Sequence, residues 1–330
     1  MQTPEAQRSA DLVHPPVADP RWRESYYFSF FDPALGIGGF TSLGKRPAKG
    51  HTGSINVIWG PEIPTLVAAE LDDLSGHDDV HTVAGLSYEP LEPFGAWRLR
   101  FRGPLNDGGG DVDCLPEAIG SAHGAGGVRR TQVSYDLVFT PRAEPYSYRE
   151  RPEWRDLFDG HIDEVGTVEG EVVIAGSRHA VRGRGAKDHS WGVRDWMKPT
   201  AWRWVDLVAP GSPALTLWRA RFANGWVGDG ALYPEGRAAR LTGYREEIET
   251  GEADRGKPLP VAIDLVAEGE GGVDVRASGR TLRVVPTLFR SRRLPGATAW
   301  NDRALMECTV AGGGQGWANV EFEELVEERA

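Results

Sequence analysis

Cysteine is scarce in this chain. There are two, Cys114 and Cys308, far apart in sequence. No CxxC pair and no zinc-type spacing can be written from them, and nothing signals a disulfide. Long apolar runs are missing as well. No stretch approaches the ~18 apolar residues of a membrane-spanning helix. The stretch Met1–Pro20 is polar and contains proline, with no basic start followed by an apolar core, so it does not read as a secretory signal. The expectation is a cytoplasmic protein with no transmembrane segment, whose residues 1–20 form a flexible lead-in. Positive charge is in deficit: 37 Lys and Arg against 48 Asp and Glu give a net charge of −11. Such a surface repels phosphate backbones and anionic lipid, which argues against a nucleic-acid partner and against electrostatic membrane attachment.

Several familiar signatures are absent too. There is no GxSxG elbow. Gly36-Ile37-Gly38-Gly39 is not followed by a helical pattern, so it reads as a turn and not as a dinucleotide loop. His77-Asp78-Asp79-Val80-His81 lies in an acidic loop with no identifiable third ligand. Asp107-Gly108-Gly109-Gly110-Asp111-Val112-Asp113 offers oxygens at a spacing unlike an EF-hand. No metal site is expected.

What is present is a β pattern. Short alternating runs are separated by turn residues drawn from 42 glycines and 23 prolines. In Gln132–Phe139 the odd positions are Val133, Tyr135, Leu137 and Phe139, a period of two with one buried face. Pro141–Gly160 breaks the pattern with prolines, arginines and aromatics and reads as a connector. The chain is therefore expected to be all-β, with one β-domain over 21–150 and a second over 151–330, each a barrel or sandwich.

Three segments carry candidate chemistry. In Asp188-His189-Ser190-Trp191, strand alternation puts His189 and Trp191 on one face and Asp188 and Ser190 on the other. A histidine beside an indole suits acid–base work, and equally suits a buried Trp with a hydrogen-bonded His. Arg194 and Asp195, past Gly192, read as an ion pair holding the turn. Farther on, Trp202, Trp204 and Asp206 share a face, with Thr216 and Trp218 sharing one on the next strand. A carboxylate among indoles must be hydrogen-bonded, paired with a cation, or kept protonated, and the last is a general acid. Aromatics on neighbouring strands fill a core or line a cavity for an apolar ligand, and twelve tryptophans favour the cavity. Tyr26, on a face with Glu24, and His161, just after the connector, complete the set.

The Asp188-His189-Ser190-Trp191-Gly192 string, the glycines before it at 183 and 185, and Glu24-Ser25-Tyr26-Tyr27-Phe28 resemble the carotenoid 1,2-hydratase and AttH-like lipocalin superfamily, in an uncharacterised bacterial branch. The resemblance implies two packed lipocalin-like β-domains and water addition to isolated alkenes, or related cyclisation, with no metal or organic cofactor. It also implies a His-x-Trp element, met by His189 and Trp191, and an aromatic-x-Asp acid. Trp204-Val205-Asp206 matches the latter, with Trp where the hydratases carry Tyr and with a shorter gap. The implied partner is a hydrophobic small molecule. On this reading Asp206 protonates an alkene, Trp191, Trp204 and Trp218 face the cation, and His189 handles water. A carrier or sensor that binds such a ligand without turnover is the alternative.

Overall fold

In the computed structural model the described residues are 11–74, 81–109, 128–155, 157–195, 198–251, 258–290 and 297–327. Among them there is no α-helix, and no helix is long and apolar enough to cross a membrane. The chain is all-β and divides into two compact units, one holding residues up to Gly109 and Glu117–Asp195, the other Gly110–Pro116 and Trp196–Ala330.

The first unit contains strands β1 (Trp22–Asp32), β2 (Ile37–Arg46), β3 (His51–Gly60), β4 (Ile63–Asp73), β5 (His81–Val83), β6 (Leu86–Glu92), β7 (Ala96–Asp107), β8 (Arg130–Pro141), β9 (Tyr146–Ser147), β10 (Gly160–Ile174) and β11 (Ser177–Val193). They form one sheet in the order β4-β3-β2-β1-β11-β10-β8-β7-β6-β5, with β9 paired to β10. The sheet curls until β4 also meets β7 through Leu66 opposite Asp107 and Val67 opposite Asn106, which closes a ring. The inner face carries Tyr26, Phe28, Leu43, Leu66, Trp97, Phe139 and Val168, all buried. On β8 the buried set is Val133, Tyr135, Leu137 and Phe139, as period-two alternation requires.

The second unit is a closed antiparallel barrel: β12 (Ala201–Val208), β13 (Ala214–Phe222), β14 (Gly225–Tyr233), β15 (Ala239–Gly251), β16 (Leu259–Gly269), β17 (Asp274–Arg290), β18 (Ala297–Val310) and β19 (Gly314–Glu327). Its core is aliphatic, with Val205, Leu207, Leu215, Leu217, Ile263, Val284 and Met306 among the buried members.

Two expectations are corrected. A boundary at 150/151 falls inside the first unit, because β10 and β11 are hydrogen-bonded into the first sheet and not into the barrel. The Pro141–Gly160 stretch joins two strands of one sheet. The lead-in is also docked where it is described: Asp11 is fully buried and accepts hydrogen bonds from the Phe94 amide (2.8 Å) and Trp97 Nε1 (3.1 Å). Residues 1–10 lie outside the described residues, as do Cys114, 77–80 of the acidic run and 110–113 of the glycine–aspartate loop. Cys308 is a buried free thiol.

Candidate functional site

The alternation of β11 divides the Asp188–Trp191 run between two faces. Across the ladder to β1, Trp191 lies opposite Glu24, His189 opposite Tyr26 and Lys187 opposite Phe28. Across the ladder to β10, His189 lies opposite Ile162 and Lys187 opposite Glu164. Since Tyr26 and Phe28 belong to the inner core, Glu24, Glu164, Lys187, His189 and Trp191 point inward with them. Asp188 and Ser190 point outward with Asp163 and His161, their partners on β10. Trp191 lies flat over Gly160, where any Cβ would collide with the indole.

The inner set is built on Glu24. Its Oε1 lies 3.0 Å from His189 Nε2 and 2.8 Å from His14 Nδ1, and the His14 amide donates to the same carboxylate. Burial alone would raise the carboxyl pKa; the hydrogen bonds from His14 and His189 overcome it and hold it down at about 2. An ionised carboxylate only accepts, so both facing ring nitrogens carry hydrogens. The His189 pKa is lowered: burial outweighs the pull of Glu24 toward the charged form. At neutral pH the ring is therefore neutral, with its proton on Nε2 and a lone pair on Nδ1. Nδ1 is buried and has no hydrogen-bond partner. The ring is walled by Tyr26, stacked at 4.0 Å, and by Trp191 at 5.0 Å, which is itself covered by His14 at 3.5 Å and 9°.

Beside it lies a buried ionic trio. Lys187 Nζ contacts Asp11 Oδ1 and Glu164 Oε2 and stands 5.2 Å over the Trp97 ring. Burial opposes the ammonium, but the charges of Glu164 and Asp11 raise its pKa. Burial also raises the Glu164 carboxyl, against the pull of Lys187 and with the added repulsion of Asp11. Glu164 Oε1 is buried without a hydrogen-bond partner.

The outer set is different in kind. His161 Nε2 contacts Asp188 Oδ2 and lies 3.2 Å from Asp163 Oδ1, while Tyr148 donates to Asp163 Oδ2 at 2.6 Å. Burial disfavours the imidazolium, yet the two carboxylates raise the His161 pKa to about 9. Asp188 also accepts from Ser190 Oγ at 3.1 Å, and Arg194 donates to the Ser190 carbonyl (2.7 Å) and hydroxyl (3.0 Å). Arg194 is thus turned back on its own strand, while Asp195 lies 3.9 Å from Arg21. Tyr148 and Phe158, which pack on the His161 ring, are also walls of a cavity of about 360 Å³ bounded by Arg149, Arg151, Trp154 and Asp159.

The remaining expected residues lie in the barrel. Trp202, Trp204 and Asp206 share a face, and Asp206 and Trp204 stand opposite Thr216 and Trp218. Val205 and Leu207 point into the apolar core, so this aromatic face is the other one, although it is buried too. Asn319 donates to both Asp206 oxygens, at 3.3 and 3.2 Å, and Thr216 Oγ1 is 3.0 Å from Tyr233 Oη. Trp196 is outside the described residues.

Sequence reasoning paired His189 with Trp191 but did not assign roles to Glu24, His14, Asp11, Lys187 or Glu164. For Glu24, Lys187 and Glu164 a signal existed: each is a charge in phase with an apolar strand face. His14 and Asp11 carried none.

A family model described as a domain of unknown function, DUF7064, matches residues 7–326. No curated protein matches the chain by sequence. Among solved structures, a protein from Nitrosomonas europaea provisionally assigned as an AttH shares 14% identity at a TM-score of 0.65, over 98% of this chain and 96% of that one. Kievitone hydratase from Nectria haematococca shares 13% at 0.57, over 96% and 94%. CghA in complex with Sch210972 shares 13% at 0.57, over 94% and 90%. At these identities the likeness is one of fold.

Proposed function

The chain belongs to the DUF7064 family, and from that premise we propose that it is an acid–base enzyme acting on a hydrophobic small molecule of terpenoid, polyketide or lipid type, as a hydratase or dehydratase, an isomerase or a cyclase. One observation carries the reading. His189 is a neutral imidazole held by an ionised carboxylate through Nε2, with its Nδ1 lone pair buried and unpartnered. A carrier gains nothing from such a group; a proton-transfer site requires one. The fold shared with kievitone hydratase supports the same class.

In the hydration direction, water hydrogen-bonded to His189 Nδ1 gives up a proton as its oxygen bonds to carbon. The alkene carbon next to it takes a proton from a carboxylic acid. Glu164 is the inner-face group suited to that role: one ammonium faces two carboxyls in the trio, so Asp11 can balance Lys187 while Glu164, raised by burial and with Oε1 unpartnered, holds the proton. The proton on His189 leaves to solvent and Glu164 is reprotonated, which closes the cycle as alkene plus water to alcohol. Cationic character is met by the faces of Trp191, Tyr26 and Trp97, and Glu24 steadies the transient imidazolium. Isomerisation uses the same pair, with His189 taking a proton from carbon. Asp206 is held by Asn319 in the second unit, and Asp188 acts from the outer face by anchoring His161.

The test is turnover in ¹⁸O-labelled water with a panel of apolar alkenes and allylic or tertiary alcohols, read by mass spectrometry. Label enters product with the native protein, and the rate falls by roughly 10²–10⁴-fold in His189→Ala. Saturable binding with no hydrated, dehydrated, isomerised or cyclised product from any member would overturn the enzyme reading in favour of a carrier.

A further inference from the structure

The barrel of the second unit carries an arrangement that its stability does not explain. At one end, β12 begins, β13 ends and β14 begins. Val205, Leu207, Leu215 and Leu217 point inward, so Arg203, Arg219 and Arg221, in phase with them, line the inner wall at that end. Arg203 is directly opposite Arg219 in the ladder. Like charges in directly opposed positions destabilise a sheet.

Only part of this charge is answered. Arg203 lies 3.5 Å from Glu246 and 3.3 Å from Glu324. The Glu246 contact is made through Nε, and the other nitrogens donate to the Trp202 and Glu323 carbonyls and to Glu324. Arg219 meets no carboxylate among the described residues. It lies between two rings, 4.1 Å from Trp226 and 5.4 Å from Tyr244. Arg221 bonds Thr200 Oγ1 at 3.0 Å and lies 5.8 Å from the same Trp226 ring. Arg203 is also 5.7 Å from that ring, and 5.2 Å from Phe322. Three guanidiniums thus surround one indole, against two carboxylates, in a chain whose net charge is −11. Trp226 is 37% exposed, so the cluster can be reached from solvent.

From this geometry we infer that the rim of the second barrel is a binding site for the carboxylate of an amphipathic small molecule. The carboxylate sits between Arg219 and Arg203, where a planar two-oxygen acceptor matches the guanidinium fork. The apolar part lies along Trp226 and Tyr244, because the barrel interior below is filled by its core. Occupancy relieves the repulsion between the opposed arginines and gives Arg219 a carboxylate.

The site is independent of the His189 chemistry, and its test reads binding alone. Titration of the full chain with decanoate, followed by calorimetry, gives a saturable isotherm that weakens as salt is raised. Arg219→Met weakens it by about tenfold, the effect of losing one charge-assisted pair. Arg276→Met, which removes an exposed arginine beside Asp274, leaves it unchanged. Three outcomes overturn the proposal: 1-decanol binding as tightly as decanoate, inorganic phosphate competing at equal concentration, or Arg276→Met weakening binding as much as Arg219→Met.

Discussion

His161 and His189 stand on opposite faces of the same β10–β11 pair, and the protein drives their protonation in opposite directions. His161 is held charged by Asp188 and Asp163, with its pKa raised to about 9. His189 is held neutral, its pKa lowered by burial despite Glu24. One rung of the ladder separates them: His161 is opposite Ser190, and Ile162 is opposite His189.

This opposition predicts a two-sided pH dependence of stability. His161 binds its proton more tightly when folded, so its contribution is fully present below the unfolded value near 6.5 and is lost as pH rises through about 9. That contribution is on the order of 3 kcal/mol. His189 does the reverse. Its folded pKa is lowered, so stability falls as pH drops below about 6.5, where the unfolded chain takes up a proton first. Urea midpoints should be highest near neutrality and fall on both sides. In His161→Gln the loss between pH 7 and 10 should be smaller.

The tautomer of His189 is directly measurable. Nitrogen-15 chemical shifts at neutral pH should show Nε2 protonated and Nδ1 bare. Glu24→Gln removes the ionised acceptor, so the His189 pKa should fall further. Turnover of any substrate found should also drop in this variant. A protonated Nδ1 in the native protein at pH 7 would contradict the base role.

Asp11 should be worth far more than its position near the start of the chain suggests. Asp11→Ala leaves Lys187 paired with Glu164 but takes the acceptor from the Phe94 amide and the Trp97 indole N–H, and buried donors left unpaired cost about 1–3 kcal/mol each. Adding Lys187→Met and Glu164→Leu should recover little of that loss, because the Phe94 and Trp97 donors still lack an acceptor. Chemical denaturation of the single and triple variants measures both numbers.

Gly160→Ala tests the packing under Trp191. The added Cβ collides with the indole, so the ring must shift away from His189 and out of its stack with His14. Overpacking of this kind costs about 1–3 kcal/mol. The melting temperature should fall and the near-ultraviolet circular dichroism of the stacked indole should change, while the far-ultraviolet strand signal persists.

Alternation made the strands legible, and with them the split of Asp188 from His189, because both follow from a local period of two. Pairing was not legible. Nothing in Glu24-Ser25-Tyr26 announces that it will lie against His189-Ser190-Trp191, and that ladder is what places Glu24 on the imidazole. The same blindness moved the domain boundary. Pro141–Gly160 has the composition of a linker, yet the strands on either side of it, β8 and β10, are neighbours in one sheet. His14 and Asp11 belong to an irregular polar stretch, and the burial of such residues is decided by what they meet.

The β1–β11 ladder also sets a condition on biosynthesis. Tyr26 meets His189, so the ring of the first unit cannot close until residues near the end of that unit have been made. At ~5–20 residues per second, β1 waits roughly 10–30 s with one edge open after it leaves the ribosome. An open edge beside Tyr26, Tyr27, Phe28 and Phe30 is a template for wrong pairings. Holdase chaperones are therefore expected to engage the nascent chain during that interval and to release it once β11 arrives.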